Sequence, residues 1–257
     1  MSEARPVGQS TESVQSVRSF WEGHVNNEYY TGEARASAAY FDEIRERRYR
    51  WHYHLRELFE ELAGSGGELL EIGCGIGVDS IELARCGFKV TGIDLTEAAI
   101  DIARQHSAHR GAEIAFRTGN AEALEFADNA FDAVYSFGVL HHTPDMATAI
   151  SEVHRVLKPG GTAFIMLYHR FSIVEKVHQI FRVPYESPKN LKDHCPVVYR
   201  LSRSEAEGYF KAFSKVEITT DYPFTYGFRH LTFWMPVGLK KWLGRHIGWH
   251  LMIRAVK

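Results

Sequence analysis

The chain has 257 residues, 45% of them hydrophobic, which suffices for one large α/β domain or two small ones with a substantial core. Thirty basic residues against 32 acidic ones give a formal net charge of −2, which disfavours binding to nucleic acid or to an anionic membrane by charge alone. The three cysteines, Cys74, Cys86 and Cys195, lack metal-type pair spacing and favour a reducing compartment, by default the cytoplasm.

The first 64 residues predict a polar leader followed by helices. Residues 1–13 lack the apolar run of a signal peptide, and the longest clean apolar run of the chain, residues 163–167, is too short to span a bilayer. From residue 14 onward apolar positions recur at helical spacing, and a longer helix is predicted over 39–62. We expect residues 14–64 to form a helical lid over a ligand site.

A basic and aromatic stretch, "RERRYRWHYH", lies within the second predicted helix at residues 45–54. Arginines interleaved with aromatic residues can contact phosphates and stack on bases, which would favour nucleic-acid binding. On a helix the same residues form a basic solvent face beside an apolar one, with room for one arginine to reach an anionic substrate group. The solvent face is the interpretation we prefer, because the overall charge is balanced.

Residues 65–170 alternate between short apolar segments and amphipathic ones. Strands are predicted at 68–72, 89–94, 114–118, 131–136 and 162–168, and helices at 78–86, 96–109 and 145–157. This alternation is typical of right-handed βαβ units and of a parallel sheet covered on both faces. We therefore predict a doubly wound α/β fold, with one domain over residues 65–257.

The rest of the chain is less regular. Residues 171–200, which contain three prolines, predict an irregular insertion over the ligand-binding edge of the sheet. A helix is expected at 202–213, and two more strands at 215–222 and 249–256. The aromatic and basic insertion at 222–248 could include an amphipathic helix bearing Leu239, Trp242 and Leu243; it could cover the sheet edge, line an apolar pocket or rest on a membrane surface.

The segment "LLEIGCGIGVDS", residues 69–80, places glycines at every second position after a strand. The phosphate-binding pattern is G-x-G-x-x-G, whereas here Glu71 precedes Gly73, Gly75 and Gly77. A carboxylate is a poor neighbour for a pyrophosphate. Asp94, at the end of the second strand, can accept from two vicinal hydroxyls of a ribose. These residues predict a nucleoside ligand without a phosphate chain.

Five segments in order resemble the motifs of class I S-adenosylmethionine-dependent methyltransferases, nearest the small-molecule group that includes ubiquinone and menaquinone methylases: "LLEIGCGIGVDS", "VTGIDLTEAAI", "GNAEALEF", "FDAVYSFGVLHHTPD" and "RVLKPGG". The resemblance covers residues 65–170. It implies a Rossmann-like, seven-stranded sheet whose last strand is antiparallel and inserted between strands five and six. We expect residues 249–256 to form that last strand.

The resemblance implies S-adenosylmethionine as the cofactor. The turn from Gly73 through Cys74 and Gly75 to Gly77 would lie against its methionine part, with Glu71 orienting the turn or the ammonium group. Asp94 would take the ribose hydroxyls and Leu95 the adenine face. The remaining expected cofactor contacts are Asn120, where the family often has Asp, the Ala121 N–H, Phe137, Gly138 and, from the lid, Tyr29.

The expected reaction is methyl transfer to an O, N or C atom of a small organic acceptor, such as a secondary metabolite or lipid-like molecule. A sulfonium methyl is already activated, so a general base is optional, and no metal is predicted. The candidates for contact with the acceptor are His141 or His142, His169, and Tyr30 from the lid. Two other hypotheses stay open, a nicotinamide-dependent Rossmann oxidoreductase and a non-catalytic cofactor-binding module; RNA modification would need a basic groove.

Overall fold

The apolar segments form one mixed sheet, and the amphipathic segments between them form helices that cover it. The structure, a computed structural model, describes residues 10–25, 31–182, 194–224 and 234–257. Its strands are β1 (Gly67–Ile72), β2 (Phe88–Asp94), β3 (Ala115–Thr118), β4 (Phe131–Phe137), β5 (Leu157–His169), β6 (Arg200–Leu201), β7 (Lys215–Asp221) and β8 (His250–Val256). Its helices are α1 (Val14–Gly23), α2 (Ala38–Trp51), α3 (Tyr53–Leu62), α4 (Val78–Arg85), α5 (Glu97–Arg110), α6 (Met146–Val156), α7 (Ile173–Phe181), α8 (Arg203–Tyr209) and α9 (Val237–Ile247).

The strand order is β3-β2-β1-β4-β5-β8-β7, with the short β6 paired to β5. The first five strands run parallel, and β8 is antiparallel to both β5 and β7. The predicted doubly wound sheet with an inserted antiparallel terminal strand is thus confirmed, and β6 adds an eighth strand to the expected seven. The order reverses between β1 and β4, which is where ligands of such sheets bind.

Alternate residues of β1 supply the two faces of the core. Leu70 faces α6 and packs with Val134 and Val153, whereas Leu69 faces the N-terminal helices and packs with Phe41 and Leu55. This division follows from the two-residue period of a strand. The helices that precede the sheet are therefore part of its core packing.

The predicted helix over 39–62 is wrong as a single element, because the chain turns at His52 between α2 and α3. His52 has φ −93° and ψ 61°, and its N–H donates to the Arg48 carbonyl at 2.8 Å. In a continuous helix, residues two apart point to nearly opposite sides. The break allows both His52 and His54 to be buried.

The segment after β5 is more regular than predicted. Within 171–200 lies α7, which begins after Ser172, whose hydroxyl accepts from the Glu175 N–H at 3.0 Å. Residues 183–193 and 225–233 lie outside the described part of the chain. The helix expected at 202–213 is shorter, because α8 ends at Tyr209.

Two further elements bear on the C-terminal predictions. Strand β5 begins at Leu157 instead of residue 162, because Leu157 already pairs with Phe131 across a bulge. The amphipathic helix expected in 222–248 is present as α9, with Leu239 and Trp242 exposed. Among the described residues, no helix combines the length and the apolar content needed to cross a membrane.

Candidate functional site

The turn between β1 and α4 presents backbone to a pocket at the carboxyl edge of the sheet. Gly73 has φ +73°, and its N–H donates to the Ile93 carbonyl at 2.7 Å. A Cβ on Gly73 would lie 2.2 Å from a methyl carbon of Val139, so packing and dihedral both require glycine here. The Gly75 N–H donates to Asp94 Oδ2 at 3.0 Å, which ties the turn to the end of β2.

Two acids border this turn. Glu71 is buried, accepts a hydrogen bond from the Ser80 hydroxyl, and has its pKa raised to about 8, mainly by burial and then by the charge of Asp79. Asp94 accepts from the Thr96 N–H at 3.0 Å and from the Thr96 hydroxyl at 2.8 Å. Burial raises the pKa of Asp94, and these hydrogen bonds oppose that rise.

Glu71→Gln should alter the pH dependence of stability. A folded-state pKa above the unfolded value of 4.5 means that the contribution of Glu71 to the free energy of unfolding is complete below pH 4.5 and is lost as the pH rises through about 8. Glutamine does not titrate, so the variant should match the wild type near pH 4.5 and be more stable than it above pH 8. Urea unfolding across this range measures the difference. Glu68→Gln, at the more exposed start of the same strand, is the control. An equal change of stability with pH in both variants would contradict the raised pKa of Glu71.

Most of the residues predicted to bind a cofactor line this pocket: Glu71, Gly73, Cys74, Gly75, Asp94, Leu95, Asn120, Ala121, Phe137 and Gly138. Gly77 does not line it; it precedes α4 with φ +76°, and a Cβ there would meet the Phe116 ring at 3.0 Å. The amide oxygen of Asn120 accepts from the Glu122 N–H at 3.0 Å, and Glu122 also lines the pocket. Tyr29 lies outside the described residues.

Helix α1 contributes one wall of the pocket. Val14, Val17 and Trp21 contribute apolar contacts, and the Trp21 ring meets the His142 ring edge-on with centroids 5.4 Å apart. A side-chain oxygen of Glu22 accepts from the Ala98 N–H at 3.0 Å, which holds α1 against the start of α5. Within the described residues α1 thus supplies apolar cover to the pocket; the cover expected from Tyr29 and Tyr30 lies outside the described residues.

The three candidate catalytic histidines lie in different surroundings. His142 lines the pocket, and its Nδ1 lies 2.8 Å from the Val197 carbonyl. Because a carbonyl can only accept, Nδ1 carries the proton in this contact and Nε2 is the basic nitrogen of the neutral ring. His141 is fully buried against Tyr168, with centroids 3.9 Å apart, and does not line the pocket. His169 also lies off the pocket, with Nδ1 at 2.9 Å from the Gly248 carbonyl, and Tyr30 lies outside the described residues.

One arginine of the basic stretch at residues 45–54, Arg48, lies inside this site. Arg48 lines the pocket, its side chain is 13% exposed, and its Nε donates to Asp79 Oδ1 at 2.6 Å. The hydroxyls of Tyr49 and Tyr135 also donate to Asp79. The solvent-face prediction is wrong for Arg48, although Arg47 and Arg50 of the same helix are exposed. The signal was available, because residue 48 continues the apolar stripe of Phe41 and Ile44 at helical spacing.

Three further histidines, His52, His54 and His250, meet next to the Phe137 ring and were not predicted as a group. The pair at residues 52 and 54 was visible in the sequence. That this pair lies next to His250 depends on the pairing of β8 with β5 and β7, and a local sequence pattern does not predict this contact.

Comparisons with known proteins agree with this geometry. Residues 70–165 match a family model described as a methyltransferase domain. The chain is 40% identical over 113 residues to the ubiquinone biosynthesis O-methyltransferase of Pseudomonas aeruginosa (strain LESB58), covering 43% of this chain and 49% of that protein. A relative of the same description from Alkalilimnicola ehrlichii is 39% identical over 106 residues, covering 41% and 43%. The chain therefore matches about half the length of these curated relatives.

Solved structures extend the similarity to the whole fold. A Thermotoga maritima protein described as a methyltransferase dependent on S-adenosylmethionine, and as a possible histamine N-methyltransferase, superposes with a TM-score of 0.61 at 22% identity, covering 94% of this chain and 99% of that one. The [4+2]-cyclase SpnF superposes with a TM-score of 0.64 at 19% identity, covering 99% of each chain. Since these two proteins are described by different reactions, this likeness concerns the fold alone.

Proposed function

We propose, from the match of residues 70–165 to a methyltransferase domain, that this chain is a class I S-adenosylmethionine-dependent methyltransferase that transfers a methyl group to a small organic acceptor. The main support for the proposal is that one pocket is lined by the glycine turn, by the buried Glu71 and by the carboxylate of Asp94. A pyrophosphate is disfavoured there, because two acidic side chains, Glu71 and Asp94, line the pocket and no side chain of opposite charge other than Arg48, which is paired with Asp79, is among its described lining residues.

The residues of the pocket fit S-adenosylmethionine group by group. The main chain of Gly73 and Gly75, without side chains, suits the methionine part, and Glu71 suits its ammonium group. The Asp94 carboxylate keeps acceptor capacity beyond its bonds to Gly75 and Thr96, and suits the two ribose hydroxyls. The Ala121 N–H and the Leu95 side chain lie on the same pocket and suit the adenine.

When bound, the cofactor supplies a methyl group activated by a positive sulfur, so the protein need only align the acceptor and exclude water. Trp21 and Phe137 provide apolar walls for that purpose. His142 is the group we assign to removing a proton from the acceptor. Its Nδ1 contact with the Val197 carbonyl orients the ring and leaves Nε2 as the basic atom.

We propose a hydroxyl as the favoured acceptor group. A base beside the pocket has a use when the attacked atom is an oxygen that must lose its proton, and less use for a neutral amine. The curated relatives are described as O-methyltransferases in ubiquinone biosynthesis, which also favours an oxygen acceptor. Methylation of nitrogen or carbon would be recognised by the position of the new methyl group in the product.

Two measurements test the function. S-adenosylhomocysteine should raise the melting temperature of the protein, whereas NADH should leave it unchanged. Metabolite extract incubated with the protein and isotopically labelled S-adenosylmethionine should contain products heavier by one labelled methyl group. Stabilisation by NADH in place of S-adenosylhomocysteine would favour the oxidoreductase, and cofactor binding with no labelled product from any extract would favour a non-catalytic module.

A further inference from the structure

Three histidines from two distant parts of the chain converge at the carboxyl edge of the sheet. His52 lies in the turn between α2 and α3, His54 in the first turn of α3, and His250 at the start of β8. One ring nitrogen from each can be chosen so that all three lie within 4.8 Å of one another. The residues are 8%, 7% and 2% exposed, so the cluster is inside the protein.

Several ring nitrogens of this cluster lack a hydrogen-bond partner in the described part of the protein. Within the described part of the chain, Nδ1 of His52, both ring nitrogens of His54 and Nδ1 of His250 are buried with no hydrogen-bond partner. A buried polar atom without a partner is unfavourable and is rare in folded proteins. Three such rings side by side therefore call for a ligand that accepts several nitrogen lone pairs at once.

The surrounding charges are compatible with a cation. Arg48 is the nearby positive group, but its guanidinium is paired with Asp79. Asp221 brings a negative charge to the side of His54, and the Tyr53 hydroxyl donates to it at 2.5 Å. Burial, followed by the neighbouring positive groups, lowers the pKa of His52 and of His250, and burial lowers that of His54 to about 4. A histidine binds a metal through a lone pair of its neutral ring, the form that burial of these residues favours.

We propose that His52, His54 and His250 form a binding site for one divalent transition-metal ion, with Zn²⁺ as its representative. Imidazole nitrogens favour this class of ion, whereas Mg²⁺ and Ca²⁺ favour oxygen ligands. Tetrahedral bonds of about 2.0–2.1 Å bring ligand nitrogens to about 3.4 Å from one another, so each ring would move inward by about 1 Å or less. Small rotations of the side chains achieve this.

The site borders the pocket without being part of it. The Phe137 ring, which lines the pocket, lies 5.3 Å from His52, 5.9 Å from His54 and 5.3 Å from His250, measured between ring centroids. Three protein ligands leave one position open on a tetrahedral ion. The metal proposal stands on the cluster itself and does not depend on the methyltransferase function.

Titration of the full-length, untagged protein with Zn²⁺ in a calorimeter tests the proposal. We expect one ion per chain at micromolar affinity or tighter, a rise in melting temperature with Zn²⁺, and no comparable response to Mg²⁺. Co²⁺ should produce the visible absorption bands of a four- or five-coordinate site with nitrogen ligands. His54→Gln and His250→Gln should each weaken Zn²⁺ binding by about 100-fold or more, since even the loss of an indirect partner costs about 10- to 100-fold.

Two variants serve as controls. His246→Gln removes an exposed histidine of α9. Cys195→Ser removes a thiol whose Sγ lies 3.5 Å from His142 Nδ1, so it tests whether this second pair of possible metal ligands binds the ion instead. Both should bind Zn²⁺ as the wild type does. The proposal is overturned if the wild type binds no Zn²⁺, or if the ion is lost in a control variant and kept in the two cluster variants. A single cooperative thermal unfolding transition in each variant, measured without metal, reports that it is folded.

Discussion

Asp94→Ala should weaken binding of S-adenosylhomocysteine by about 100-fold. Hydrogen bonds to a charged group contribute about 1.5–3 kcal/mol each, so the loss of two ribose contacts corresponds to about 3 kcal/mol or more, which is about two orders of magnitude in Kd. Asp94 also accepts from Gly75 and Thr96, so the substitution frees a backbone N–H of the glycine turn as well. Isothermal calorimetry measures the affinity, and urea unfolding measures the stability of the same variant.

Two matched variants separate these effects. Asp94→Asn keeps an oxygen that can accept from Gly75 or Thr96 and removes only the charge and one acceptor, so we expect a smaller loss of affinity. Asp101→Ala removes an exposed acid of α5 and should leave both affinity and stability unchanged. Unchanged affinity in Asp94→Ala would contradict the ribose assignment, whatever happens to stability.

Gly73→Ala should lower the free energy of unfolding by about 2–5 kcal/mol. The left-handed backbone costs a residue with a Cβ about 1–2 kcal/mol, and overpacking against the Val139 methyls, 2.2 and 2.7 Å away, adds about 1–3 kcal/mol. The effect should be visible as a lower midpoint in urea with little change in slope.

Gly75→Ala is the matched control for this prediction. Gly75 has φ +52°, but a Cβ there would have no neighbour within 4 Å, so only the backbone cost of about 1–2 kcal/mol is expected. Combining Gly73→Ala with Val139→Ala should recover part of the loss, because it removes the methyls that clash. Equal destabilisation by Gly73→Ala and Gly75→Ala, with no recovery in the double variant, would contradict the packing argument.

The fold was largely predictable because its signals are local. The strand before Gly73 and the strand that ends at Asp94 are short apolar runs in the sequence, and the helix between them has an amphipathic pattern. Parallel strands with short connections have few allowed topologies, which placed the glycine turn and Asp94 at one edge of the sheet before any contact was known. The pocket formed by these two elements was therefore within reach of sequence reasoning.

Other features depended on which side chains turn inward. His141 and His142 are neighbours with identical chemistry, yet only His142 of the two lines the pocket. Arg48 lies in a run of arginines, yet its side chain is only 13% exposed, because it pairs with Asp79, the acid to which the Tyr49 and Tyr135 hydroxyls also donate. A one-dimensional pattern does not specify such pairings, since they depend on the relative rotation of packed helices.

The sequence by itself determined the alternating α/β order, a strand at the end of the chain and the backbone turn with its two acids, because dihedral preference and hydrophobic period act over a few residues. The antiparallel direction of that last strand was expected from the family resemblance. Tertiary structure alone decided the break at His52 and the meeting of His52 and His54 with His250. Residues 54 and 250 are brought together by the pairing of β8 with β5 and by the packing of α3 near that edge, interactions between segments far apart in the chain. Contacts between segments so far apart depend on how whole helices and strands pack, and a local sequence pattern does not predict them.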